Sequence, residues 1–205
     1  MEYTQIAKLA EEAGFTHVAP LDPKTLQLKP EVRQMCQANS CGMYGKRWSC
    51  PPGCGSLEDC EARVSRYSRG ILVQTVGQLE DELDGEGMMD AEHQHKENFL
   101  KMNKLLRQDH ADVLALGAGC CTICKTCTYP EEPCRFPDRQ ISSMEAYGLV
   151  VLEACKANNL PYYYGKCTIS YTGCFLYNDL YRGRIIHQTM KKSSPCWAFP
   201  FFMTP

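Results

Sequence analysis

A short cysteine-rich segment constrains this chain more than any other feature. Residues 120–134 read Cys-Cys-Thr-Ile-Cys-Lys-Thr-Cys-Thr-Tyr-Pro-Glu-Glu-Pro-Cys. A C-x2-C-x2-C triple and a later cysteine stand out within it: Cys121, Cys124, Cys127 and Cys134. Three thiolates on one tight loop can each bind a different iron of one [4Fe-4S] cubane, and bacterial ferredoxins use the same triple, although their fourth cysteine ligates a second cluster. Structural zinc sites usually take two separate C-x2-C pairs. The spacing therefore favours iron–sulfur, with zinc as the alternative.

Another group of cysteines lies earlier in the chain, within residues 36–60; we call it the first cysteine region, and residues 120–134 the second. The five thiols of the first region follow the pattern C-x4-C-x8-C-x3-C-x5-C, and four suffice for a cubane or a tetrahedral zinc. The favoured ligands are Cys36, Cys41, Cys50 and Cys54. Cys60 is expected one turn into a helix, where it either ligates or faces the core. The region is rich in glycine and proline, so we expect irregular backbone that a bound metal would order. This spacing is less diagnostic, and zinc stays open here.

The number of cysteines also bears on the compartment. The chain has 14 cysteines in 205 residues, an excess that fits either disulfides or metal ligands. Its N-terminus lacks the basic and then apolar pattern of a signal peptide, and the cysteines are bunched as in metal sites rather than dispersed. No stretch approaches ~18 continuous apolar residues, so no membrane span is expected. These features predict a cytoplasmic protein whose thiols serve as ligands.

Net charge and chain length bear on the binding partners and on the number of domains. With 22 basic and 24 acidic residues the net charge is −2, which gives no electrostatic case for nucleic acid. The length suits one domain, predicted over residues 1–177. Residues 178–205 form a tail, basic and then aromatic, with no role that the sequence assigns.

Hydrophobic periodicity predicts helices alternating with strands. The predicted helices cover residues 1–15, 56–67, 88–108 and 142–156, and two of them begin with Ser-x-x-Asp or Ser-x-x-Glu capping boxes. The predicted strands cover residues 70–76 and 112–116, with a hairpin formed by 161–164 and 168–177. This order predicts an α/β (or α+β) fold, a mixed sheet flanked by helices from which the two cysteine regions emerge as loops.

Several side chains have narrower expectations. Lys46, Arg47, Lys125 and Arg135 would bring positive charge close to the cysteines and raise the potential of a cluster, and Arg135 could also pin its loop by binding a carbonyl oxygen. Cys155 and Cys174 fall on predicted elements and are expected in the core. Cys120 is expected to point away from the site of its neighbour. His93 and His95 are expected on the surface.

The sequence resembles a known family in several tracts. These are Cys41-Gly-Met-Tyr-Gly-Lys-Arg-Trp-Ser-Cys-Pro-Pro, Cys121-x2-Cys-x2-Cys-Thr-Tyr-Pro, Pro133-Cys-Arg-Phe-Pro and Ser142-Ser-Met-Glu-Ala-Tyr-Gly. They are similar to the bacterial and archaeal domain-of-unknown-function family described as predicted metal-binding proteins. The resemblance covers about residues 30–177 and implies metal binding of the iron–sulfur type, without an established reaction. The positions it implies as ligands are Cys36, Cys41, Cys50, Cys121, Cys124, Cys127 and Cys134.

Three functions are compatible with these features. The first is an iron–sulfur protein with one or two [4Fe-4S] clusters that passes electrons to a redox partner protein. The second is an enzyme in which a cluster held only by Cys36, Cys41 and Cys50 leaves an iron open for substrate. The third is a module stabilised by structural zinc. The sequence shows no Ser-His-Asp or paired-carboxylate motif, so it identifies no catalytic side chain, and it specifies no oligomeric state.

Overall fold

A five-stranded mixed sheet forms the centre of the protein, in an α+β arrangement. The computed structural model describes residues 3–110 and 112–178. Its helices are α1 (Tyr3–Ala13), α2 (Pro30–Gln37), α3 (Leu57–Val64), α4 (Gly85–Asp109) and α5 (Val151–Ala157). Its strands are β1 (His17–Leu21), β2 (Arg69–Gln78), β3 (Val113–Gly117), β4 (Ser142–Ser143) and β5 (Thr168–Tyr177). Short 3-10 turns lie at Pro23–Thr25, Pro137–Arg139 and Glu145–Tyr147.

The last long strand lies in the middle of the sheet. The strand order is β1-β2-β5-β3-β4, in which β5 pairs antiparallel with both β2 and β3. Strand β1 is antiparallel to β2, whereas β4 is parallel to β3. The central strand β5 therefore follows both cysteine regions in the sequence. The strands that flank these regions, β2 and β3, pair with β5, which is distant from both in sequence.

Alternation along the central strand separates two apolar layers. Phe175 and Tyr177 pack with the buried faces of α1 and α4, where Phe175 stacks on Phe99 with ring centroids 4.2 Å apart. Cys174 and Leu176 point to the opposite face, toward α3 and α5. Because side chains alternate along a strand, the run of residues 172–177 can be buried on both faces.

One glycine permits the close approach of a helix to this strand. A Cβ placed on Gly173 would lie 2.5 Å from a ring carbon of Phe99 and 2.8 Å from the carbonyl oxygen of Leu116. Any larger residue would have to displace α4 or β3, so the sheet and its helix pack at this distance only with glycine here.

Side-chain caps start two of the predicted helices. Ser56 accepts a hydrogen bond from the backbone N–H of Asp59, whose carboxylate accepts one from the N–H of Ser56 in return, so the capping box of α3 is confirmed. Asp84, which lies immediately before α4, accepts hydrogen bonds from the N–H groups of Gly87 and Glu80. Such caps satisfy N–H groups that have no partner within the helix.

Other secondary-structure predictions were wrong. Ser142 does not begin a helix, because Ser142–Ser143 pairs with β3 and α5 begins only at Val151. Residues 161–164 form no strand, and β5 pairs with β2 and β3 in place of a local hairpin. Helix α2 was not predicted, so Cys36 lies on a helix where irregular backbone was expected. Of the predicted tail, residues 179–205 lie outside the described residues.

Candidate metal centre

The four cysteines of the second region line one pocket. Strand β3 ends at Gly117, and the loop of residues 118–141 that follows has only one short 3-10 turn. The thiols that line the pocket are Cys121, Cys124, Cys127 and Cys134, and all four are partly buried. Ile123, Trp48 and Phe136 supply apolar wall beside them. We call this the four-cysteine pocket. The loop thus brings cysteines from residues 121–134 to one pocket.

Hydrogen bonds within the loop fix its shape. The Arg135 guanidinium donates to the carbonyl oxygen of Thr126 at 3.0 Å, which is one of the two roles that the sequence suggested for it. The Thr128 hydroxyl donates to the carbonyl oxygen of Pro133 at 2.9 Å. Both bonds span the segment between Cys127 and Cys134, so they hold the fourth cysteine close to the triple.

The first cysteine region closes the pocket from the other side. Arg47 donates to the carbonyl oxygen of Cys121 at 2.9 Å, and the N–H of Cys121 donates to the hydroxyl of buried Ser49 at 3.3 Å. Gln140 donates to the carbonyl oxygen of Trp48 at 2.9 Å. These bonds tie residues 47–49 to both ends of the loop, which makes the two cysteine regions neighbours.

Trp48 adds a further contact with the loop. Its indole N–H donates to the carbonyl oxygen of Glu132 at 3.0 Å, and its ring meets that of Tyr129 edge-on with centroids 4.9 Å apart. Trp48 also lines the four-cysteine pocket, where its apolar surface limits access of water.

The predicted thiols of the first region also lie near one another. Cys36 is close enough to Cys41 and Cys54 to interact electrostatically, and Cys50 to Cys41, Cys54 and Cys120. Burial raises the pKa of Cys36, and it raises the pKa of Cys50 to about 11 despite the hydrogen bond with Ser49. Without a metal these two thiols therefore keep their protons at neutral pH. Metal binding would have to release those protons.

Cys54 differs from the other thiols of its region. It is buried against Cys60, and the Arg33 guanidinium donates to its sulfur at 3.2 Å. The hydrogen bond from Cys60 and the charge of Arg33 lower the pKa of Cys54 to about 6, although burial opposes them. The same pairing and burial raise the pKa of Cys60. Cys60 is fully buried, so it resembles a core residue that also serves as the partner of Cys54.

The geometry of the thiols bears on which metal they could hold. Within residues 3–110 and 112–178, no three cysteine, histidine or carboxylate side chains converge on one point as ligands of a single ion would. A tetrahedral zinc needs its sulfurs about 3.8 Å apart, whereas a cubane spreads its ligands over different irons. The four-cysteine pocket encloses about 20 Å³, roughly the space of a water molecule. The thiols are donors that both iron–sulfur clusters and zinc accept, and binding of either would require the loop to shift.

Other predictions about single residues had mixed outcomes. Cys155 and Cys174 are fully buried in the core, as expected. Cys120 lines a neighbouring cavity with His95 and not the four-cysteine pocket. His95 itself was expected on the surface and is fully buried, with one ring nitrogen bonded to Thr75. Burial and the charge of Lys96 lower its pKa to about 4.

Sequence reasoning missed three polar residues that organise the centre. Arg33 lies on the helix that was not predicted, and its contact with Cys54 depends on how α2 and α3 are placed. Ser49 and Gln140 carry no signal beyond their proximity in sequence to cysteines. Only the position of Ser49 immediately before Cys50 could have drawn attention to it.

Comparison with known proteins identifies the family. The sequence profile of a family described as "Predicted metal-binding protein (DUF2284)" matches residues 19–177, which is most of the chain and contains both cysteine regions. The chain belongs to this family. No curated protein and no solved structure shows significant similarity to it. In the part of the chain that the structure describes, no helix is both long and apolar enough to cross a bilayer.

Proposed function

We propose that this family member holds a [4Fe-4S] cluster on Cys121, Cys124, Cys127 and Cys134 and takes part in electron transfer or redox chemistry. The observation that carries the proposal is that these four cysteines line a single pocket, with a C-x2-C-x2-C spacing typical of cubane ligands. Such a cluster supplies one-electron chemistry when bound. We also propose that the protein acts in the cytoplasm, where thiols stay reduced.

The surrounding residues have separate roles in this proposal. Trp48, Ile123 and Phe136 limit access of water to the sulfurs. Arg47, fixed by its bond to the Cys121 carbonyl, places a positive charge beside the pocket, which favours the reduced, more negative form of a cluster. Exposed Lys46 and Lys125 on the two loops could steer an acidic redox partner protein toward the same face.

A ligand variant with a matched control tests the proposal. Protein purified without oxygen should be brown, and Cys124→Ser should lose most of the iron and sulfide of this site. Cys167→Ser is the control, because Cys167 is a partly buried thiol outside both cysteine regions; it should keep the wild-type metal content. Colourless wild-type protein with stoichiometric zinc would support structural zinc and overturn the redox assignment.

A second candidate is an enzyme whose first region holds a cluster through Cys36, Cys41 and Cys50 alone. It is favoured by the contacts of Cys54, whose sulfur already interacts with Cys60 and Arg33. In that case the joint variant Cys54→Ser/Cys60→Ser should retain the iron and sulfide of both regions. Loss of the iron and sulfide of one cluster in the joint variant would instead make Cys54 or Cys60 the fourth ligand.

A further inference from the structure

Cys54 and Cys60 are neighbouring free thiols in the first cysteine region. Cys54 precedes the cap of α3, and Cys60 lies in the first turn of that helix. The Cys60 sulfur is 3.8 Å from the carbonyl oxygen of Cys54, and both sulfurs lie within 4 Å of the same Nη of Arg33. Both thiols are free in the structure. Two thiols that share a neighbouring atom in this way are candidates to form a disulfide.

Two arginines hold positive charge against this pair. One Nη of Arg33 is 3.2 Å from the Cys54 sulfur and 3.8 Å from the Cys60 sulfur. One Nη of Arg63 is 3.8 Å from the Cys60 sulfur. Backbone oxygens fix both groups, because Arg33 also donates to Ala146 and Gly55, and Arg63 to Asp59 and Cys54. Fixed cations beside a thiol favour its reactive thiolate.

Cys54 and Cys60 differ in how accessible they are from solvent. An open depression is lined by Gly53, Cys54, Gly55, Asp59, Ala62, Arg63 and Arg66. Cys54 reaches this depression with 3% of its surface exposed, whereas Cys60 lies behind it with none. A molecule in the depression would therefore meet Cys54 first, and its carboxylates could bind the arginines of the rim.

We propose that Cys54 and Cys60 are a redox-active dithiol that exchanges with a small disulfide bearing carboxylate groups. Cys54, as thiolate, attacks one sulfur of the small disulfide, which forms a mixed disulfide and releases one small thiolate. Cys60 then loses its proton to solvent and attacks the Cys54 sulfur, which releases the second small thiolate. The protein dithiol is oxidised to a disulfide by two electrons, and the small disulfide is reduced to two thiols.

The test uses full-length protein and glutathione disulfide as the probe. The protein is equilibrated without oxygen in mixtures of oxidised and reduced glutathione, quenched with acid, alkylated and analysed by peptide mass spectrometry. We expect a peptide linked between Cys54 and Cys60 that is lighter by two hydrogen atoms, with iron content unchanged. Cys155 and Cys174, which are also buried neighbours, lie away from both arginines and are the internal control; they should stay unlinked.

Variants separate the roles of the two thiols. Cys60→Ser should stop at a glutathione adduct on Cys54, and Cys54→Ser should give no adduct on Cys60. Arg33→Gln should slow the reaction of Cys54 on the order of tenfold, because a cation beside the thiolate is lost.

Three results would overturn the proposal that Cys54 and Cys60 are a redox-active dithiol. The first is a pair that stays fully alkylatable in oxidised glutathione, and the second is a Cys60→Ser variant without an adduct. The third is a linked peptide that appears only as iron is released, because Cys54 would then belong to a metal site.

Discussion

At the scale of single residues, His95 carries the clearest electrostatic consequence. Its ring is fully buried among Phe15, Phe99 and Tyr171, with Nδ1 bonded to Thr75. Its Nε2 has no hydrogen-bond partner among the described residues. A protonated imidazole would be poorly solvated here, so the folded protein keeps His95 neutral.

This burial predicts an acid-sensitive fold. The pKa of His95 is about 4 in the folded protein and about 6.5 in an unfolded chain. The unfolded state therefore binds the proton first, and stability falls as pH drops from 6.5 toward 4. Between pH 7 and pH 5 this group should remove about 2 kcal/mol. In urea unfolding, the free energy of unfolding of His95→Gln should fall between pH 7 and pH 5 by about 2 kcal/mol less than that of the wild type. An equal fall in both proteins would contradict the assignment.

At the scale of elements, α3 depends on its N-terminal cap. Removing the Ser56 hydroxyl leaves the N–H of Asp59 without its acceptor, so Ser56→Ala should lower the free energy of unfolding by about 1 kcal/mol. Ser65→Ala at the other end of α3 is the control and should cost less than about 0.5 kcal/mol, because its hydroxyl only donates to an exposed carbonyl oxygen of Ala62. Chemical denaturation measures both. Equal losses would show that the cap contributes little.

The loop of residues 118–141 depends on Arg135 in a different way. Arg135→Gln and Lys125→Gln remove the same charge from the same loop, but only Arg135 binds a loop carbonyl. We expect Arg135→Gln to lose metal to a chelator about tenfold faster than wild type, with Lys125→Gln close to wild type. Equal rates in the two variants would assign the effect to charge and not to loop shape.

The elements that the sequence predicted are those with strong local signals. Apolar runs and periodic stripes located α1, α4, β2, β3 and β5, and the Ser56 cap located α3. Pairing over long distances decided the failures. Ser142–Ser143 joins the edge of β3, which overrides a helix signal, and β5 inserts between β2 and β3. Neither outcome has a local cause that the sequence could reveal.

The candidate site likewise has features that the local sequence predicted and features that depend on contacts with another loop. The C-x2-C-x2-C spacing was enough to select Cys121, Cys124 and Cys127 as a group, because residues three apart in one short loop must lie close in space. Their bonds to Ser49 and Arg47 come from another loop, so no local pattern encodes them. The ligand set of each region, including the choice between Cys54 and Cys60, stays a prediction.

At the scale of the whole molecule, metal binding and loop order should be coupled. The four-cysteine pocket lies between two loops with few regular hydrogen bonds of their own, joined mainly through residues 47–49. Most residues of the sheet and its two apolar layers lie outside these loops, and Cys54 and Ile141 are loop residues that pack against the layers. Loss of metal should therefore release the loops while the sheet stays folded.

Hydrogen exchange can separate these two parts. After chelation under reducing conditions, amides in residues 118–141 should exchange at least about tenfold faster, and those of β2 and β5 should keep their protection. The thermal midpoint should also fall. Uniform loss of protection across the chain would show that metal holds the whole fold together, and no change at all would show that the loops need no metal.

The most direct measurement is the iron and acid-labile sulfide content of protein purified without oxygen, combined with electron paramagnetic resonance after reduction. We expect about four irons and four sulfides for each bound cluster, and a signal that disappears in Cys124→Ser. Colourless protein without sulfide, or with the second-region cysteines joined as disulfides, would contradict it.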